Sequence, residues 1–154
     1  MPAVDSLGKF FEPTSIMVIG ASRTPGRPGN VILENIIANE FQGKVFPVNP
    51  KTEEILGIKC YSSAADVPEV PDLAVMAVPA AAALEAVTQC AEKRVKALVM
   101  VSSGFAEVDD RGARLQDEML EVAKGAGLRI MGPNTSGIIS TPWKLSASIA
   151  PLGQ

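Results

Sequence analysis

Five short apolar runs, each followed by a stretch whose apolar residues recur at helical spacing, set the rhythm of this chain. The runs are Ser15 to Gly20 (SIMVIG), Lys44 to Val48 (KVFPV), Leu73 to Val78 (LAVMAV), Ala97 to Ser102 (ALVMVS) and Leu128 to Met131 (LRIM). They have strand length and read as nearly unbroken Val, Ile, Leu and Met, so both faces of each strand are covered, as in a parallel sheet. A further short strand fits Ile58 to Tyr61. Between the runs, Gly29 to Asn39 places Ile32, Leu33, Ile36 and Ile37 on one helical side, and Ala80 to Lys93 does the same with Leu84, Val87 and Ala91. Asp109 to Gly125 carries Leu115, Met119 and Val122 at helical spacing. It opens on the acidic pair Asp109 and Asp110, which suits a helix N-terminus, and stops near Gly125 and Gly127. Alternating strands and helices predict an α/β fold, with a mainly parallel sheet of about five or six strands and helices on both faces.

After Gly132 this rhythm stops and the chain becomes apolar and punctuated by Pro and Gly. A single domain over 1–154 is expected, with 8–141 as the βα core and 142–154 as an exit segment, because 154 residues can bury one core without staples. Net charge of -3 offers no general attraction to nucleic acid or to an anionic membrane, so any phosphate recognition has to come from a local cluster of donors. No apolar run has the length of a membrane span, and the first residues lack a basic segment followed by an apolar one, so a cytoplasmic location is expected. Cys60 and Cys90 form no CxxC and read as reduced packing residues. The chain has no histidine, which excludes a Ser-His-Asp triad, a histidine-ligated zinc and histidine acid–base chemistry within it.

Candidate chemistry sits at the ends of the strands. The first strand runs into Gly20-Ala21-Ser22-Arg23-Thr24-Pro25-Gly26-Arg27-Pro28-Gly29-Asn30 and then directly into a helix. Glycines allow close backbone approach, Ser22, Thr24 and free amides donate to phosphate oxygens, and a helix N-terminus adds unpaired N–H groups. Arg23 and Arg27 add forked, permanently charged donors. The loop spells neither G-x-G-x-x-G nor G-x-x-x-x-G-K-[ST]. In a NAD-binding unit an acid stands at the end of the second strand to hold the ribose 2′-hydroxyl. Here Asn49, Pro50 and Lys51 occupy that place, so a phosphorylated ribose fits better: the 3′-phosphate of coenzyme A, or the 2′-phosphate of NADP in an oxidoreductase domain. A solvated turn lysine is the plain alternative. Val78, Pro79 and Ala80 close the third strand, and Ser102, Ser103 and Gly104 the fourth. With no histidine to activate them, the two serines are expected as hydrogen-bonding groups and not nucleophiles. Gly132 to Gly137 reads as a compact turn.

Taken in order, FEP at 11–13, IMVIGASRTPGRPG, VFPVNPK, EILGIKCYSS, DLAVMAVP, VSSGFAE and MGPNTSGII resemble the Rossmann-like CoA-binding domain of the succinyl-CoA synthetase alpha subunit and the nucleoside-diphosphate-forming acetyl-CoA synthetases. The resemblance implies coenzyme A as the cofactor. It implies that Ser22 to Gly29 lie against the CoA phosphates, that Lys51 faces the nucleotide end, and that the thiol arm passes Val78 to Ala80 and Val101 to Ser103. Asn134 and Thr135 would then lie near the acyl substrate, although family members usually have cysteine where this chain has Thr135. In such enzymes a histidine on a neighbouring domain carries the phosphoryl group. The chain is therefore expected to bind CoA and to need further synthetase domains or a partner subunit for catalysis. A stand-alone CoA-binding regulatory module is the other form compatible with the same residues.

Overall fold

The computed structural model describes residues 2–150. Helix α1 (Pro2–Phe11) leads into β1 (Ser15–Ile19), α2 (Pro28–Ala38) and β2 (Lys44–Val48). A small excursion, β3 (Glu54–Ile55) and β4 (Ile58–Lys59), precedes β5 (Leu73–Met76), α3 (Ala80–Glu92), β6 (Ala97–Met100), α4 (Asp110–Ala126) and β7 (Arg129–Met131). The described chain closes with β8 (Gly137–Ser140) and β9 (Leu145–Ser148).

Five of these strands form one parallel sheet in the order β2-β1-β5-β6-β7. Their side chains alternate between two cores, which is why the strand runs are apolar throughout. Met17, Ile19, Ala74, Met76, Leu98 and Met100 face α3 and α4, together with Phe105 and Met119. Ile16, Val18, Leu73, Val75, Ala97 and Val99 face the other way, toward Ile32, Leu33 and Ile36 of α2. Pro47, which has no N–H to give a ladder, is accommodated because β2 is an edge strand. Cys60 and Cys90 are buried thiols in opposite cores, and burial pushes Cys90 up to about 12.

The predicted helix limits hold to within a residue or two. Asp109 caps α4, its Oδ1 accepting the Gly112 amide at 2.7 Å, and Gly127 ends the helix in the left-handed conformation at φ 66°.

Four features differ from the expectation. Ile37 is 44% exposed, because the buried apolar side chains of α2 are Ile32, Leu33 and Ile36. The strand expected at Ile58 to Tyr61 does not join the sheet: β4 pairs antiparallel with β3, and Tyr61 makes only an isolated bridge to Val48. Helix α1 was not anticipated from the sequence; its Phe10 is 2% exposed within the α2-side core. The stretch after Gly132 folds back as the antiparallel hairpin β8–β9, which buries Ile138, Leu145 and Ala147 in the α2-side core. Asn35 of α2 holds this hairpin by donating to the Ser148 carbonyl at 2.7 Å and the Ala150 carbonyl at 2.9 Å. Positions 151–154 of the expected exit segment lie outside the described residues.

Candidate functional site

Chain order reverses in the sheet between β1 and β5. The connection after β1 leads to α2 on one face and that after β5 to α3 on the other, so their backbones diverge and leave a crevice at the carboxyl ends of the strands. Every predicted site residue lies in a loop or first helical turn along that edge.

The loop after β1 is held from within. Gly20 adopts φ +84°, and a Cβ there would lie 2.4 Å from the Ala77 carbonyl oxygen. On Gly29 a Cβ would lie 1.9 Å from the Gly20 oxygen. Both glycines thus let α2 and the end of β5 close on β1, whereas Gly26, at φ +80°, has open space where a Cβ would stand. The Ser22 hydroxyl accepts the Thr24 amide at 3.1 Å, and Asn30 Nδ2 donates to the Ser22 carbonyl at 3.0 Å. Arg27 is the residue before α2 and makes no side-chain cap; Pro28 takes the first helical position. Arg23, Thr24, Gly26, Arg27 and Pro28 are exposed.

The turn after β2 is tied to this loop. Asn49 Nδ2 donates to the Ala21 carbonyl at 2.8 Å, and its Oδ1 accepts the Lys51 amide at 2.8 Å. Lys51 is exposed, and among the described residues neither it nor Arg23 or Arg27 takes part in an ion pair.

Farther along the edge the predicted hydroxyls are already engaged. Ser102 is 7% exposed; its Oγ accepts the Val78 amide at 3.0 Å, and its carbonyl accepts the Asn134 amide at 2.9 Å. It therefore fastens the ends of β5, β6 and β7 together. Ser103, Pro79 and Asn134 are exposed, while Val78, Ala80 and Gly104 are half-buried. The Thr135 hydroxyl donates to the Met100 carbonyl at 3.0 Å and accepts the Gly137 amide at 3.3 Å, both bonds internal to the fold.

Sequence reasoning missed Glu107. Its carboxylate accepts the Gly104 amide at 2.6 Å and the Phe105 amide at 3.1 Å. Led by the Gly104 bond, these amides hold the Glu107 carboxyl below its ordinary range. The available signal was an acid three residues past a turn glycine, where a side chain reaches back to bare amides. Also unanticipated is an open cleft of about 530 Å³ between the first turns of α3 and α4. Ala80 and Gly104 share it with Arg111, Arg114 and Leu115, but the residues of the β1–α2 loop do not line it.

Among known families, the model of the CoA binding domain matches residues 14–141 of this chain, most of its length and all five strands of the parallel sheet. The chain belongs to that family. Its cofactor is coenzyme A. Over 138 residues the chain is 47% identical to the ADP-forming acetate–CoA ligase II of Archaeoglobus fulgidus, covering 90% of this chain and 20% of that protein. It is 39% identical over 150 residues to the alpha subunit of the ADP-forming acetate–CoA ligase I of Pyrococcus furiosus, covering 95% and 32%. The solved dinucleotide-forming acetyl-coenzyme A synthetase 1 of Ca. Korarchaeum cryptofilum, in complex with phosphate and ADP, superimposes with a TM-score of 0.90 at 39% identity, covering 94% of this chain and 31% of that one. The chain thus spans between a fifth and a third of the length of these relatives.

For a CoA-binding domain the donor set fits. CoA is a polyanion with phosphate groups at two separate places, and this edge offers two guanidiniums, an ammonium and open backbone at Gly26, with no ion pair to these cations among the described residues.

Proposed function

We propose that this chain is the CoA-binding part of a nucleoside-diphosphate-forming acyl-CoA synthetase, and that CoA lies along the carboxyl edge of the sheet. The observation that carries the proposal is the pairing of Arg23 and Arg27 on one loop with Lys51 on the adjacent turn, without an ion pair among the described residues and with the two segments joined through Asn49. In this reading, residues Gly20 to Gly29 with Arg23 and Arg27 hold the diphosphate, and Lys51 holds the 3′-phosphate. Val78, Pro79, Ala80, Ser103 and Gly104 flank the arm that ends in the thiol, with Ser102 fixing their backbone. Asn134 and Thr135 border the place where the acyl group arrives. CoA supplies the thiol that takes up or releases the acyl group. The chain's own residues bind and orient that cofactor, and the absence of histidine from its sequence assigns phosphoryl relay to other domains or to a partner subunit.

Two further assignments belong with this proposal. We place the protein in the cytoplasm, in keeping with two thiols buried in separate cores; among the described residues no helix is long and apolar enough to cross a membrane. Acyl-CoA and the remaining synthetase domains are its expected partners.

Calorimetric titration with CoA, dephospho-CoA, NADP and NAD tests the proposal. CoA is expected to bind more tightly than dephospho-CoA, and Arg23→Ala or Arg27→Ala to weaken CoA by about tenfold each, the worth of a charge-assisted hydrogen bond. Binding of NADP with no binding of CoA would refute it.

A further inference from the structure

Asn49 stands where the chain leaves β2, and both ends of its side-chain amide are in use. Nδ2 reaches across to the Ala21 carbonyl at 2.8 Å, and Oδ1 takes the Lys51 amide at 2.8 Å. The residue's own position is fixed by its main chain, whose N–H donates to the Tyr61 carbonyl at 2.9 Å. The ladder between β1 and β2 ends at Ile19 opposite Val48, with one more bond from the Gly20 amide to the Val48 carbonyl. Beyond that point, among the described residues, no backbone hydrogen bond joins 21–29 to 49–53. The loop bearing Arg23 and Arg27 and the turn bearing Lys51 are therefore registered against each other by one planar side chain.

We infer that Asn49 is a positioning residue: it sets the spacing between the guanidinium loop and the Lys51 ammonium, and through that spacing the preference for CoA over a ligand lacking the 3′-phosphate. This rests on the CoA reading given above and deepens it. The physical reason lies in the geometry of charge-assisted bonds. These weaken steeply once donor and acceptor are misaligned, and a long, exposed lysine gains little from an anion unless its backbone is already held at the right distance. A carboxamide suits the task because it supplies a donor to one loop and an acceptor to the other without adding a negative charge beside a phosphate site.

The test uses the wild-type chain, Asn49→Ala, Asn49→Ser, Lys51→Ala and the Asn49→Ala/Lys51→Ala double variant. Each is titrated with CoA and with dephospho-CoA, and each is melted. Serine can still accept the Lys51 amide two residues on, but it is too short to reach Ala21, so it keeps the turn and cuts the tie between loops. Asn49→Ala and Asn49→Ser are both expected to narrow the preference for CoA by about fivefold or more, comparable to Lys51→Ala. The double variant should be no less selective than Lys51→Ala alone, since Asn49 acts through Lys51. Equal weakening of both ligands would reduce Asn49 to a general structural role and overturn the inference. So would an unchanged preference in the Asn49 variants, a preference insensitive to Lys51→Ala, or a further loss in the double variant. Should Asn49→Ala fail to fold, Asn49→Ser decides the matter by the same ratio. A wild-type chain that binds neither nucleotide removes the CoA reading itself and this inference with it, whereas the other patterns remove the inference alone.

Discussion

The Ser102 hydroxyl accepts the Val78 amide at 3.0 Å, tying the end of β6 to the end of β5 just past their last ladder pair, Met76 opposite Met100. A serine that the sequence offers as a ligand donor is thus spent on holding the edge in shape. Ser102→Ala leaves a half-buried amide without its acceptor and is expected to cost about 1–3 kcal/mol. Ser103→Ala, at an exposed neighbour, should change stability by less than about 0.5 kcal/mol. Urea denaturation of the two variants separates these roles; equal stability would show that the Val78 bond contributes nothing.

Gly20 and Gly29 meet at the root of the β1–α2 loop, and a methyl group on Gly29 would overlap the Gly20 oxygen at 1.9 Å. The Gly20 backbone is held in place, since its amide donates to the Val48 carbonyl at 3.2 Å. Gly29→Ala is expected to destabilise the fold by about 3 kcal/mol, the upper range for overpacking. Gly26→Ala meets open space and incurs only the left-handed backbone penalty of about 1–2 kcal/mol. Denaturant midpoints that rank Gly26→Ala as the more damaging change would contradict this placement of the loop.

Asp72 anchors the opposite end of the sheet. Burial raises its carboxyl, but the Lys9 ammonium at 2.5 Å, with the Thr14 amide at 2.8 Å and hydroxyl at 2.7 Å, outweighs burial and holds it below its ordinary value of 3.8. A carboxyl depressed by folding adds stability that is fully present above the unfolded value and is lost as pH falls through the folded one. The gap in stability between wild type and Asp72→Asn is therefore expected to be constant near neutrality and to close as pH drops below about 4. Because the Lys9 side chain is 48% exposed, added salt should reduce the Lys9 share of that gap and leave the share from the Thr14 hydrogen bonds. A gap that stays constant down to pH 2 would place the contribution of Asp72 elsewhere.

Strands and the long helices were legible because each depends on a periodicity within a few residues. The runs from Ser15, Lys44, Leu73, Ala97 and Leu128 all became neighbours in one sheet, although four of the five strands are one or two residues shorter than the apolar runs. At the carboxyl ends of β1, β5 and β6 the backbone turns out of the ladder to form the loops of the site. Helix α1 was overlooked although Val4, Leu7 and Phe11 recur at helical spacing, and the β8–β9 hairpin escaped because its strands, GIIS and LSAS, lack the continuous apolar run of a buried parallel strand. Phe10 and Leu145 are buried only because α2 and the sheet are already there to receive them. Glu107, Arg111 and Arg114 join the edge through the turn that follows Gly104 and through the packing of α4 beside α3, which no local pattern records.

Sequence alone determined the α/β class, the parallel sheet, the family and the presence of three cations at strand ends, since local periodicity and ordered motifs record these directly. Only the tertiary structure decided which polar groups remain available along that edge. Asn49, Ser102 and Thr135 each have a partner in a neighbouring segment, and Ser22 has one within its own loop. Arg23, Arg27 and Lys51 stay in solvent without an ion pair among the described residues. A hydrogen bond depends on distance and angle in space, so a residue's type states what it can donate or accept, and the fold alone states whether that capacity is already used.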